Sequence, residues 1–369
     1  VHAERLDRVR AAMADRGVDV LLLSVGADLP WLIGYEAMPL ERLTMLVVPR
    51  DAQPTLVVPR LEAPRVTTAD AAGVTVRPWE ETEDPVGIVA ELVGPARVLG
   101  VGDRTWARFV VELVRRLPGR ELRLASEVTG PLRARKDPSE VAALAQAAAA
   151  ADRVAAALQA GEIPLAGRTE AEVAAELSRR LLAEGHSRVN FAIVAAGPNA
   201  ASPHHDPGPH VITPGEVVLC DFGGTWPTEH GAGYCSDITR CVHLGEPPAD
   251  LAEAYAVLHD AQQAAVAAAV VGATGAEVDA IARERIAAAG HGEHFVHRTG
   301  HGIGVEEHEE PYLVAGNHRP LEPGHAFSVE PGIYLPGRWG IRLEDIVVAT
   351  EDGPRPLNRA DHTLAVLDG

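Results

Sequence analysis

Apolar positions in the first 126 residues switch repeatedly between helical and strand-like spacing. Residues 3–17 put Leu6, Val9 and Met13 on one face and stop at Gly17, which predicts an amphipathic helix with a glycine terminator. The run 18–24 (VDVLLLS) predicts a buried strand, and the apolar runs 43–49 and 54–59 flank a polar turn at 50–53. Helices near 81–94 and 105–117 and strands at 97–103 and 121–126 continue the pattern. Alternating helices and short strands predict a compact α/β domain over residues 1–130. It shows no glycine fingerprint for phosphate and no acid–histidine constellation. Trp31 and Tyr35 read as core residues, with support of a neighbouring site as the alternative.

Residues 131–140 (PLRARKDPSE) read as a connector, and residues 141–369 as a second domain. Asp137-Pro138 caps and opens an Ala-rich helix through about Leu158, whose stripe is Leu144, Ala148, Ala151 and Ala155. The second domain repeats itself. The segment 168–186 matches 273–291 in character: each opens on a threonine cap (Thr169, Thr274) with a glutamate three residues later (Glu172, Glu277) and closes on Gly-His. The segment 212–224 (ITPGEVVLCDFGG) likewise mirrors 320–332 (PLEPGHAFSVEPG), placing Asp221 in one and Glu330 in the other. Beyond them CSDITR and LEDIVV offer Asp237 and Glu344.

Two related halves facing one another across a pseudo-two-fold axis would gather Asp221, Asp237, Glu330 and Glu344. VVLCDFG and AFSVEPG are apolar strands, where an unpaired acid is costly. Adjacent carboxylates repel by about 4 kcal/mol per pair at an effective dielectric near 20, so a cation must hold them. The stretch 297–310 (HRTGHGIGVEEHEE) carries His297, His301 and His308 among glycines and acids, and His301 supplies the one nitrogen ligand. Four carboxylates and one imidazole serve two divalent ions if some carboxylates bridge, with manganese, cobalt or zinc suited to such an oxygen-rich set. A bridging water is then acidified towards a pKa of about 7 and becomes a hydroxide nucleophile, which is hydrolase chemistry.

Composition narrows the partners. The formal charge of −19 argues against nucleic acid or an anionic membrane. Three cysteines (Cys220, Cys235, Cys241) make no disulfide framework and read as buried thiols. The sequence shows no charged-then-apolar leader and no apolar span near twenty residues, so a cytoplasmic protein is expected.

The order Asp–Asp–His–Glu–Glu and the strings SDITR, HRTGHGIG, VEPGIY and GIRLED resemble the pita-bread metallopeptidases: prolidase, aminopeptidase P, methionine aminopeptidase and the metal-free creatinase. The N-terminal domain and LRARKDP resemble the two-domain members, so the resemblance covers essentially the whole chain. It implies a creatinase-like α/β domain followed by an α+β pita-bread domain with an internal pseudo-two-fold repeat. It implies that Asp221 binds one metal, that Asp237 and Glu344 bridge, and that His301 and Glu330 complete the other ion. Glu330 also matches the family's proton shuttle. His204 (or the adjacent His205) matches the histidine near the scissile amide, and His297 and His308 match those lining the substrate pocket. Arg342 matches the arginine that orients the acidic ligands, and Tyr334 lies in the matching EPGIY turn.

Two departures bear on specificity. Asp221 and Asp237 are sixteen residues apart, further than is usual in the family, because of an insert at 225–233 whose Glu229 and His230 would either reach the pocket mouth or stay solvated. Tyr312 stands where some prolidases carry an arginine for the product carboxylate, which puts strict dipeptidase behaviour in question. The resemblance implies dinuclear-metal hydrolysis of Xaa-Pro imide bonds in a small peptide with proline at the second position, by a homodimer. The alternatives are an Xaa-Pro aminopeptidase acting on longer peptides, or a non-peptide hydrolase or lyase on the same scaffold. Creatinase chemistry and a purely binding role are disfavoured by the full ligand set.

Overall fold

Residues 2–16 form the helix that the apolar spacing predicts: α1 (His2–Arg16) buries Leu6, Val9 and Met13 and ends on Gly17 in the left-handed region. The computed structural model describes residues 1–67 and 73–368. It divides into two units, Val1–Arg133 with Thr228–Gly233, and Ala134–Pro227 with Tyr234–Gly369.

In the first unit β1 (Val20–Leu23) is followed by α2 (Asp28–Ile33), β2 (Met45–Pro49), β3 (Thr55–Pro59) and β4 (Thr75–Trp79). Next come α3 (Pro85–Val93), β5 (Val98–Val101), α4 (Ala107–Arg116), β6 (Glu121–Leu124) and α5 (Ser126–Ala134). The strands form one sheet in the order β4-β3-β2-β1-β5-β6. Central β1 is buried at all four positions, as an unbroken apolar run requires. Trp31 and Tyr35 are core residues here; Trp31 faces the Arg5 guanidinium and the Tyr35 hydroxyl donates to Glu62. The insert tip, Thr228–Gly233, groups with this unit: His230 stands edge-on to His2, and Gly231 lies against the backbone of Gly34. Glu229 and His230 are both exposed.

The second unit opens with α6 (Pro138–Gln159), α7 (Glu170–Ala183), β7 (Arg188–Ala196), β8 (Val217–Trp226), β9 (Tyr234–Cys235) and β10 (Ile238–Leu244). It continues through α8 (Ala249–Ala268), α9 (Gly275–Ala288), β11 (Gly300–Gly302), β12 (Glu309–Leu313) and β13 (Ala326–Val329). The remaining strands are β14 (Gly332–Leu335), β15 (Trp339–Arg342), β16 (Asp345–Thr350), β17 (Gly353–Pro356) and β18 (Ala365–Leu367). Asp137 and Glu140 form a full capping box at the start of α6. By length and composition α6 would pass for a membrane span, contrary to the expectation of no apolar stretch near twenty residues. Its alanine stripe is instead buried in the protein, and it packs against β8 and β10 as a core helix.

The internal repeat is expressed in both topology and detail. Helices α7 and α9 carry matching Thr–Glu capping boxes. Thr169 bridges Val211, and Thr274 bridges Pro320 at the equivalent place. One sheet runs β18-β10-β8-β7 and the other β12-β11-β13-β16-β17, so β7, β8 and β10 correspond to β11, β13 and β16. The three cysteines are reduced and buried.

Candidate metal centre

The repeat places each acid where a strand begins, ends or passes the interior. Asp221 is in β8, directly opposite Thr239 of β10, and Asp237 precedes β10. Glu330 follows β13, and Glu344 lies between β15 and β16. His301 is the middle residue of β11, whose flanking Gly300 and Gly302 pair with β12 and β13. Asp237, His301 and Glu344 are buried, and each offers a ligand atom within 4.8 Å of the other two. His301 Nε2 is 3.2 Å from Glu330 Oε1 and 3.7 Å from Asp237 Oδ2. Asp221 joins the group electrostatically and through Arg342, whose Nη2 donates to Asp221 Oδ2 at 2.5 Å. The five residues singled out in the sequence therefore stand together.

Their protonation shows what the group lacks. Burial, reinforced by the neighbouring carboxylates, pushes Asp237 and Glu344 well above the ordinary carboxylate range. Asp221 is raised for the same reasons, although the Arg342 guanidinium opposes the shift. Burial acts on Glu330 too, but adjoining His301, His297 and Arg342 outweigh it and bring Glu330 down to about 2. Without a cation the cluster cannot carry all its negative charge. Asp221 Oδ1 is buried and has no hydrogen-bond partner. His301 Nδ1 lies 3.1 Å from the carbonyl of Gly302, so an N–H donated there turns Nε2 towards Glu330 and Asp237. An orphaned carboxylate oxygen in the same cluster of acids as an oriented imidazole fits a divalent ion held by oxygen and nitrogen donors.

A second layer of contacts holds these donors in place. Arg342 Nε donates to Thr239 Oγ1 at 3.0 Å, and Nη1 donates to the Tyr334 hydroxyl at 2.8 Å and to the Pro203 carbonyl. Thr239 Oγ1 donates to Glu344 Oε2 at 2.6 Å. Ser328 Oγ donates to Glu330 Oε1 and accepts from the His301 backbone N–H. Thr239 and Ser328 escaped the sequence reading because a hydroxyl in a strand gives no signal until its cross-strand neighbour is known.

The remaining histidines divide in a way the spacing did not foretell. His308 is exposed and stands edge-on to His301, ring centroids 4.1 Å apart. Both nitrogens of His297 are engaged within the protein, Nδ1 with the Arg298 carbonyl and Nε2 with the Tyr334 hydroxyl. Burial lowers its pKa, with Arg342 adding to the shift, despite Glu330. His204 is exposed and near enough to His297 and His308 to affect the charge of both. Its neighbour His205 is tied to Glu170 at 2.8 Å. Arg298, also missed in the sequence, has its guanidinium carbon 4.4 Å from the ring centroid of Tyr312 and lies close enough to influence His308.

Glu170 anchors the loop that carries His204. Its fully buried carboxylate accepts from the backbone N–H groups of Ala196 and Gly208, from Asn199 and from His205. Burial pushes Glu170 up, but these donors outweigh it and leave the acid below its ordinary range. Its stabilising contribution is therefore complete above about pH 4.3, the unfolded value, and is lost as pH falls through the lower folded pKa. Glu170→Gln is expected to cost about 2 kcal/mol at pH 7, with the gap from the parent closing in acid. Urea melts at several pH values check this.

Comparison with known proteins gives the family. Residues 142–351 match metallopeptidase family M24, and residues 5–135 match the creatinase/prolidase N-terminal domain. A probable dipeptidase PepE of Mycobacterium tuberculosis is 46% identical, over 100% of this chain and 97% of the relative. An Xaa-Pro dipeptidase of Lactobacillus delbrueckii subsp. lactis is 36% identical over 98% of each chain. The crystal structure of a prolidase from Thermococcus sibiricus has a TM-score of 0.93 at 33% identity, covering 100% of this chain and 99% of that one. Fold and matches together define a two-domain metallopeptidase, with a creatinase-type N-terminal domain and a pita-bread C-terminal domain. The chain belongs to metallopeptidase family M24, and divalent metal is part of its chemistry.

Proposed function

We propose that this chain is a prolidase-like dipeptidase that hydrolyses the imide bond of Xaa-Pro using two divalent ions, held by Asp221, Asp237, His301, Glu330 and Glu344. The observation that carries the metal assignment is the buried, unpartnered Oδ1 of Asp221 beside the Asp237–His301–Glu344 cluster. The substrate class is supported by the Xaa-Pro dipeptidase and prolidase relatives. When bound, the ions supply Lewis acidity and make water a nucleophile at neutral pH.

The protein's own groups do the rest. Glu330, kept ionised, accepts a proton from the attacking water and passes it on towards the proline nitrogen. Arg342 fixes one oxygen of Asp221 and leaves the other for metal. His204 and His308, both exposed, face the substrate and donate to its carbonyl oxygen as charge develops there. His205 is excluded from that role by its bond to Glu170. His297 holds the Tyr334 hydroxyl in place rather than touching substrate. Arg298, stacked on Tyr312, offers the positive charge that a dipeptide's free carboxylate needs, and so answers the departure at Tyr312.

The oxygen-rich donor set favours manganese, with cobalt or zinc as alternatives. A homodimer in the cytoplasm completes the proposal; light scattering on the purified protein tests its subunit number. The central test compares an Xaa-Pro dipeptide with an Xaa-Pro-Yaa tripeptide in Mn(II). Preference for the dipeptide supports the reading, preference for the tripeptide makes the enzyme an aminopeptidase, and cleavage of neither sinks the proposal. Arg298→Ala is expected to raise KM for the dipeptide about tenfold, the loss of one charged contact, with little change for the tripeptide. Steady-state kinetics on both peptides would show it.

A further inference from the structure

Lys136 is the one lysine in a chain that otherwise carries its positive side-chain charge on thirty-two arginines. Its side chain is 1% exposed and its ammonium pairs with Glu309, itself buried. Its backbone N–H donates to the Gly324 carbonyl at 2.8 Å. The backbone at Gly304 closes against the ion pair that this side chain makes. A Cβ on Gly304 would stand 3.0 Å from Lys136 Cε and closer still to the Glu309 carboxylate. A guanidinium is longer, planar and donates through a fork, whereas an ammonium is a compact point charge. The space fits the second.

The partner of that charge sits at a junction of the metal centre. Glu309 adjoins His308 and pairs in register with Gly302, next to His301. The carbonyl of Gly304 accepts the N–H of Cys235 at 2.8 Å, two residues ahead of Asp237. The Lys136–Glu309 pair thus lies where the strand leading to Asp237 meets the loop that carries His308 and leaves the β11 strand holding His301.

We infer that Lys136 is a positioning residue: by fixing Glu309 it sets the edge-on arrangement of His301 and His308, and only an ammonium can do so. The role rests on the metal-centre reading above. Held rigidly, the 302–309 loop keeps Nε2 of His301 on the carboxylates and keeps His308 beside it. With arginine at 136, the guanidinium must displace Glu309 or Gly304; the loop carrying His308 moves with it and, through the Gly302–Glu309 pairing, disturbs His301 beside it.

The test uses the full-length protein with Lys136→Arg, Lys136→Met and Glu309→Gln. In the metal-free protein, histidine ring resonances followed by NMR are expected to shift for His301 and His308 in all three; His325, which feels the Lys136 charge directly, is set aside, and the remaining histidines stay unmoved. Titration with Co(II), read by its visible absorption, is expected to show at least a tenfold loss of affinity and altered bands. Catalysis should fall at least tenfold in kcat with KM within about threefold. Parental ring resonances and Co(II) spectrum in Lys136→Arg would overturn the inference. So would lower melting temperatures with both signatures intact, which would make the lysine a packing element alone. Should one variant fail to fold, Glu309→Gln carries the same expectations and the same overturning result. A parent protein that takes up no Co(II) would instead refute the metal reading, and the ring resonances would still decide the role of Lys136.

Discussion

Chelation of divalent metal is expected to abolish peptide hydrolysis, with activity returning on addition of Mn(II), and His301→Ala is expected to lower kcat/KM by about 10³-fold or more. The imidazole is the single nitrogen among the five clustered side chains, and its Nε2 is 3.2 Å from Glu330 and 3.7 Å from Asp237. Truncating it removes a ligand and also the partner that keeps Glu330 ionised. Three acids held above their ordinary range, Asp221, Asp237 and Glu344, are then left with less to compensate them. Metal content by elemental analysis and kinetics at saturating Mn(II) separate weakened binding from lost chemistry. A His301→Ala protein that retains two ions and near-parental kcat would refute the assignment.

Arg342→Met should have the largest combined effect on stability and rate. The guanidinium is almost wholly buried, and its nitrogens reach Asp221, Thr239, Tyr334 and the Pro203 carbonyl. Removing it leaves the Asp221 carboxyl buried without its cation, a loss of about 3–5 kcal/mol by analogy with broken buried ion pairs. The melting temperature should fall on the order of 10 °C. Activity should fall about 10²-fold or more, because Asp221 and Thr239 lose the group that orients them. Arg342→Lys keeps the charge but reaches fewer of these acceptors, so it should fall between the two. Thermal melts with and without Mn(II) show whether the metal restores part of the lost stability.

The clustering of the candidate ligands was legible in the sequence because its parts come from a repeat. The matching strings around Asp221 and Glu330, and around Asp237 and Glu344, put one acid on each of two related strands per half. The capping boxes at Thr169 and Thr274 are local signals, and both are formed. What could not be read depends on neighbours distant in sequence. Thr239 matters because β8–β10 pairing brings it opposite Asp221. Glu170 looks like any acid in the first turn of a helix until the chain returns at 196–208 to meet it. The separation of His204 from His205 follows from that same return. The residues read as a connector belong to a helix as far as Ala134, despite Pro131, whose ring normally argues against a helix interior. The six-residue α2 is too short to show a period.

One pairing also governs the order in which the centre can be built. Strand β18 lies parallel to β10, with Ala365 beside Val242, although the two are separated by the whole second half of the repeat. Arg240, buried within β10, donates to the carbonyls of Ala360 and Asp361 and, on its other side, to that of Glu344. During synthesis the outer edge of β10 therefore stays unpaired until residues 360–367 have left the ribosome, and an open edge is prone to mispairing. Contacts of such long separation form slowly. Uptake of metal is thus expected only once this segment has emerged and paired, and a nascent chain halted before residue 360 should bind none.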